Sequence, residues 1–180
     1  MKLIILDRDG VINEDSDAFI KSDREWIAIA GSLQAIARLN ALDYKVAVAT
    51  NQSGIARGYF SVEALDAMHE KFNVQLKRVG GWIDMLEYCP HGPDDGCDCR
   101  KPRPGMLNKI TEAFGVSPSD VISVGDSLRD FQAAQAVGMQ FALVRTGKGE
   151  STLSTGRLPE TVPVYSDLAE FVDTFAGELT

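Results

Sequence analysis

The apolar positions of the chain fall into short continuous runs alternating with longer stripes of helical period. Leu3–Leu6 is apolar throughout, the pattern of a strand covered on both faces. Residues 33, 36, 37, 39 and 42 form a helical stripe over Ser32–Leu42. Lys45–Ala49 predicts a second buried strand. Ser61 precedes Ala64, Leu65, Met68 and Phe72, which reads as an N-capped helix. Trp82–Tyr88 predicts a third strand, and Gly105–Phe114 a helix closed by Gly115. Val121–Val124 predicts a fourth strand, Leu128–Val137 a helix ended by Gly138, and Phe141–Val144 a fifth strand. Ser166–Phe175 predicts a last helix, and Gly147–Pro163 reads as the longest loop, a mobile one.

Regular alternation of strand and helix predicts an α/β fold, a Rossmann-like doubly wound parallel sheet with helices on both faces. Such sheets bind ligands beyond the carboxyl ends of their strands. Four groups of reactive polar residues fall at that edge. The first strand runs into Asp7-Arg8-Asp9-Gly10, and the second into Thr50-Asn51-Gln52-Ser53-Gly54. The third leads to Cys89, His91, Cys97 and Cys99, then Arg100-Lys101-Pro102; the fourth leads to Gly125-Asp126-Ser127. A purely structural protein has no need of this coincidence. No internal repeat or interdomain linker is visible, so residues 1–180 read as one domain.

Bulk composition narrows the partners. With 44% apolar and 24% charged residues the chain is ordinary globular material. A net charge of −8 without a basic stripe disfavours nucleic acid and anionic membrane. No run of about 18 apolar residues exists to span a bilayer. The short run before Asp7 lacks the length and cleavage site of a signal peptide, so a cytoplasmic location is expected. With no evident apolar docking patch, a monomer is expected.

Two carboxylates two positions apart at the tip of a buried strand raise each other's pKa unless a cation intervenes. They suit a hard metal ion, a nucleophile, or an acid/base pair. Asp7 can attack phosphorus, and Asp9 can protonate a leaving alkoxide and then deprotonate water. Mg²⁺ suits an all-oxygen site, with Asp126 as a further ligand. Thr50 and the N–H groups after it can cradle an anion, and Lys101 adds a point charge. Cys89, His91, Cys97 and Cys99 form a Cys₃His set suited to a structural Zn²⁺. The loop between them is built of Pro, Gly and Asp and cannot pack a core of its own.

The order Asp7-Arg8-Asp9, Thr50, Lys101 and Gly125-Asp126 with Asp130 resembles the haloacid dehalogenase superfamily of phosphohydrolases. The resemblance implies that Asp7 is the nucleophile and Asp9 the acid/base. It also implies that Mg²⁺ is held by the side chains of Asp7 and Asp126 and the carbonyl of Asp9, with Asp130 behind them. The short stretch before the first helix leaves no room for the large cap of many members, and the insertion after the third strand is the zinc loop, residues 89–101. Within the superfamily the motifs are similar to the zinc-loop branch of heptose-bisphosphate and histidinol-phosphate phosphatases. That implies a small-molecule sugar bisphosphate as substrate, in the supply of heptose for bacterial lipopolysaccharide; the alternatives are histidinol phosphate or a sugar phosphomutase reaction. Carried onto this chain, Asp15, Ser16, Asp17 and Ala18 meet the sugar. Thr50, Asn51, Gln52 and Ser53 hold the reacting phosphate and its surroundings, Arg100 reads the substrate through the second phosphate, and Lys101 stabilises the phosphoryl group. Ser127 stands where relatives often carry Lys, which leaves Arg129 or Lys148 to compensate.

Overall fold

The computed structural model describes residues 1–177. Among these residues, six parallel strands form one sheet: β1 (Lys2–Leu6), β2 (Tyr44–Asn51), β3 (Met85–Cys89), β4 (Val121–Gly125), β5 (Gln140–Val144) and β6 (Val164–Tyr165). Their order across the sheet is β3-β2-β1-β4-β5-β6. The helices are α1 (Ser32–Ala41), α2 (Val62–Arg78), α3 (Gly105–Phe114), α4 (Leu128–Ala136), α5 (Gly149–Ser154) and α6 (Leu168–Gly177).

The apolar run of β1 is continuous because the sheet is covered on both sides. Ile4 and Leu6 face a cluster built with Ile36 and Leu39 of α1, Leu65 and Phe72 of α2, and Phe171 of α6. Leu3 and Ile5 face the opposite cluster, with Met106 and Ile110 of α3 and Ala133 of α4. Successive residues of a strand point to opposite faces, so one strand nucleates both halves of the core.

The helix ends follow local chemistry. Ser61 caps α2 by accepting from the Ala64 N–H at 3.1 Å. Gly115 ends α3 in the left-handed region at φ 63°. Ser127 and Asp130 form a reciprocal capping box on α4.

Four points of the sequence reading need correction. The third strand begins at Met85, not Trp82. Asn40 Oδ1 takes the Trp82 N–H at 2.9 Å, and Asp84 exchanges bonds with Val46, its N–H donating to Val46 O and its carboxylate accepting from Val46 N. Residues 82–84 are therefore drawn out of the ladder, which starts at Ala47 opposite Met85. The stretch 147–163 is not a loop throughout: it contains α5. Thr152 Oγ1 donates to Asp126 O at 2.8 Å, which ties α5 to the end of β4. This helix has little apolar period to betray it. The edge strand β6, only two residues long, was also missed, and the last helix starts at Leu168 rather than Ser166.

Strand order reverses at β1. The chain moves outward through β2 and β3, then returns to place β4 on the other side. The crevice between the ends of β1 and β4 is the switch point where such sheets bind ligands. Asp7 and Asp126 stand there. The connection after β1 is irregular but anchored: Trp26 is fully buried against Phe72, and Lys71 Nζ donates to the carbonyls of Asp23 and Trp26 at 2.6 and 2.7 Å. Among the described residues no helix is long and apolar enough to cross a membrane.

Candidate active site

A cavity of about 290 Å³ opens over the switch point, lined by groups from all four strand ends. Asp7, Asp9, Thr50, Asn51, Gln52, Ser53, Arg100, Lys101, Asp126 and Ser127 all border it, as do Asp15, Ser16 and Asp17.

Lys101 sits at the floor, 4% exposed. Its ammonium donates to Ala49 O at 2.7 Å and pairs with Asp7 Oδ1 at 3.0 Å and Asp130 Oδ1 at 2.6 Å. Burial works against its charge, but Asp130 and Asp7 more than offset that and hold it ionised above its ordinary range. Asn51 fixes the backbone there, its amide donating to Lys101 O and its carbonyl accepting from Lys101 N, each at 3.0 Å. Asn51 thus serves to place Lys101, a role the sequence did not disclose.

The other carboxylates are less well compensated. Asp7 is pushed from 3.8 to about 7, first by burial and then by Asp130. Asp126 is pushed to about 8 by burial, Asp130 and Asp7. Asp130 moves the other way: burial is outweighed by Lys101 and by bonds to its Oδ2 from the Ser127 hydroxyl (2.7 Å) and the N–H groups of Ser127 and Asp126. The Ser127 side chain is consequently turned to Asp130, although the residue borders the cavity where the resemblance placed a substrate contact.

Asp9 has a different environment. Burial would raise its pKa, but the Arg8 charge and hydrogen bonds from Asn13, Arg8 and Gln52 hold it below the ordinary carboxylate range. Arg8 and Asn13 donate to Oδ1, and Gln52 Nε2 donates to Oδ2 at 2.9 Å. The same Gln52 nitrogen reaches Thr50 Oγ1 at 2.9 Å. With that oxygen accepting and its nearest acceptor, Asn51 O, at 3.5 Å, the Thr50 hydroxyl has a proton to offer an anion. The Gln52 N–H is already bonded to Cys89 O and is not part of a cradle.

Asp126 is packed closely. A Cβ on Gly10 (φ 84°) would lie 2.1 Å from Asp126 Oδ2, and one on Gly147 (φ 59°) 2.2 Å from it. These two glycines let the ends of β1 and β5 close around the carboxylate. The Lys148 N–H donates to the same oxygen at 2.7 Å, and Lys148 Nζ pairs with Asp15 at 2.7 Å. Lys148 is thereby committed to Asp15; Arg129, two positions after Ser127, also borders the cavity.

At the rim the residues differ in part from expectation. Ala18 is exposed and does not border the cavity; Phe19 and Ile20 do. Phe19 adopts φ 65°, a left-handed conformation that bulky residues avoid, and this turns its ring inward past Ala18. Its ring lies 5.0 Å from Tyr59, with the Arg57 guanidinium 5.7 Å from the ring centre. Arg57, Phe19 and Ile20 were not singled out from sequence; Arg57 lies three residues past Gly54, with no local signal to suggest a role.

Two groups of ligating residues suit metal ions. Asp7, Asp126 and Asp130 each offer a carboxylate oxygen within 4.8 Å of the others. Lys101 answers Asp130, so the raised pKa values of Asp7 and Asp126 mark the charge that a hard divalent cation would neutralise; the set fits Mg²⁺. Cys89, His91, Cys97 and Cys99 are also within 4.8 Å of one another. The Cys89 and Cys99 sulfurs are 2.8 Å apart, and His91 Nδ1 lies 3.3 Å from Cys99 Sγ. Burial pushes the Cys89 thiol up to about 12, so a central cation is what would keep it a thiolate. Four N/S ligands around one point fit a closed, structural Zn²⁺.

Paired carboxylates after β1, a hydroxyl at the end of β2, a buried lysine and an acidic turn after β4 on a doubly wound sheet define the class, a haloacid dehalogenase-like hydrolase. A family model described as HAD-hydrolase-like matches residues 98–171. The D-glycero-beta-D-manno-heptose-1,7-bisphosphate 7-phosphatase of Bordetella bronchiseptica is 55% identical over 178 residues, covering 99% of each chain. That of Pseudomonas putida is 56% identical over 169 residues, covering 94% of this chain and 96% of its own. This chain belongs to the family of those heptose-bisphosphate phosphatases. The crystal structure of the B. bronchiseptica enzyme, complexed with magnesium and phosphate, matches with a TM-score of 0.97 over 99% of each chain. The enzyme from Burkholderia thailandensis matches with a TM-score of 0.78 at 45% identity, covering 98% of this chain and 99% of that one.

Proposed function

We propose that this protein hydrolyses the 7-phosphate of D-glycero-β-D-manno-heptose 1,7-bisphosphate through an aspartyl-phosphate on Asp7. One observation carries the reading. Asp7, Asp9, Thr50, Lys101 and Asp126 converge on one cavity in a chain 55% identical, end to end, to the Bordetella enzyme.

Oδ1 of Asp7 accepts from Lys101 and from the Arg8 N–H at 2.8 Å, leaving Oδ2 to bond with phosphorus. As that bond forms, the ester P–O bond breaks and Asp9 gives a proton to the leaving alkoxide. A phosphate dianion beside Asp9 raises its proton affinity, which supplies the acid form. The Asp9 carboxylate next takes a proton from water. The water oxygen bonds to phosphorus, the bond to Asp7 breaks, and inorganic phosphate leaves. Thr50 donates to a phosphoryl oxygen, and the buried charge of Lys101 stabilises the phosphoryl group throughout. Mg²⁺, held by the Asp7 and Asp126 side chains and the Asp9 carbonyl, would offset the repulsion between carboxylate and phosphate.

Specificity rests on the rim. Arg57, Arg100 and Arg129 line the cavity and supply cations for the second phosphate, while Asp15, Ser16, Asp17, Phe19 and Ile20 border the sugar. The chain acts as a single capless domain and a monomer, its short loops taking the place of a cap. The test is phosphate release from the β-heptose bisphosphate with Mg²⁺, the product being the 1-phosphate. Faster turnover of histidinol phosphate would replace this reading with the amino-alcohol one.

A further inference from the structure

The side chain of Arg8 has no part in the reaction above, yet it is fully buried, a rare state for a guanidinium. It bonds at both ends. Nε and Nη2 donate to Asp9 Oδ1 at 3.1 and 2.8 Å. At the far end Nη1 meets Nε2 of His69 at 3.2 Å and Sδ of Met68 at 3.9 Å. Arginine has only donors, so His69 Nε2 is the acceptor and the ring carries its proton on Nδ1. His69 comes from α2, 61 positions away in sequence, and its other neighbour is the Tyr88 ring, 6.4 Å between centroids.

This strut makes the two oxygens of Asp9 unlike. Oδ1 takes bonds from Arg8 and, at 2.9 Å, from Asn13. Oδ2 receives Gln52 at 2.9 Å, on a residue that borders the cavity. We infer that His69 is a positioning residue for the first chemical step: by accepting from Nη1 it fixes the Arg8 guanidinium, which clamps Asp9 Oδ1 and presents Oδ2 to the leaving-group oxygen. Without an acceptor at position 69, Nη1 would be a buried donor with no oxygen or nitrogen partner there. The guanidinium would turn to find one, taking Asp9 with it. The inference rests on the reading of Asp9 as the acid.

The test compares His69→Leu, which cannot accept a hydrogen bond, with His69→Gln, which can. Each purified, Mg²⁺-loaded variant is assayed for kcat/KM on the sugar bisphosphate and on p-nitrophenyl phosphate. The sugar alkoxide needs a proton to leave, whereas p-nitrophenolate does not. His69→Leu is expected to lose about tenfold to a hundredfold on the sugar ester, a part of the roughly 10²–10⁴-fold that a general acid contributes, and about twofold or less on the aryl ester. His69→Gln is expected to restore most of the loss. Equal losses on both esters, or a Gln variant as poor as Leu, would overturn the inference. If Leu does not fold, His69→Phe, a ring of similar size with no lone pair, takes its place, and the comparison with Gln on the sugar ester stands by itself. Should the wild type prefer histidinol phosphate, the proposed substrate fails, and the same variants are read on that alkyl ester instead.

Discussion

The ammonium of Lys101 lies 3.0 Å from Oδ1 of Asp7, so the carboxylate at the tip of β1 has a buried counterion within its own site. Asp130 shares that cation. Lys101→Met would leave these carboxylates and Asp126 crowded around no charge of opposite sign. The expected cost is about 3–5 kcal/mol, read from urea unfolding without metal. Saturating Mg²⁺ should recover part of it, while kcat stays about 10²–10³-fold low. A variant as stable as wild type without metal would show that Lys101 does not compensate this cluster.

The same cluster sets a pH dependence. Asp7 and Asp126 have folded pKa values of about 7 and about 8 against 3.8 for an ordinary Asp. A raised folded pKa contributes stability that is complete below the unfolded value and is lost as pH rises through the folded one. Metal-free protein should therefore lose stability between about pH 4 and pH 8, by on the order of a few kcal/mol. The Mg²⁺-induced rise in Tm should grow over the same interval. Asp7→Asn should abolish turnover, flatten the metal-free slope and melt above wild type near pH 8. A Tm shift with Mg²⁺ that is independent of pH would contradict this.

The two metals should separate by assay. Removing zinc should expose the loop 89–101 to protease, because its Pro, Gly and Asp residues cannot pack in place of the metal. Cys97→Ser should lower bound zinc, measured by elemental analysis, and slow turnover by loosening the loop that carries Lys101. Withholding Mg²⁺ should stop turnover with the loop still protected. Cleavage of the loop at the same rate with and without zinc would exclude the structural role.

The arginine rim gives a fourth expectation. Lys148 is paired with Asp15, whereas Arg129 borders the cavity beside Arg57 and Arg100 and is the one of these cations next to the position where Ser127 replaces a lysine. Arg129→Ala should raise KM for heptose 1,7-bisphosphate by about tenfold and leave heptose 7-phosphate almost unchanged. Equal effects on the two substrates would assign Arg129 elsewhere.

Much of the architecture was legible because burial leaves a periodic trace. Leu3–Leu6 reads as a strand since its alternate side chains enter two separate core clusters, and Gly115 marks the end of α3 through a left-handed turn. Where the trace was weak, the reading failed: α5 is held by Thr152 on Asp126 O rather than by an apolar stripe. The β3 boundary shifted because Asp84 bonds sideways to Val46, a long-range event with no local signal.

By itself the sequence determined which chemical groups reach the edge of the sheet, since that follows from strand endings and residue type: carboxylates after β1 and β4, a hydroxyl at the end of β2, a lysine at the end of the zinc loop. Only the tertiary structure decided how they are paired. Asn51 holds the Lys101 backbone, Ser127 bonds to Asp130, Phe19 replaces Ala18 at the rim, and His69 supports Arg8. The division has a physical cause. Burial and helix capping act over a few neighbouring residues and mark the chain locally, whereas a buried hydrogen bond depends on where two distant side chains meet once the core has closed.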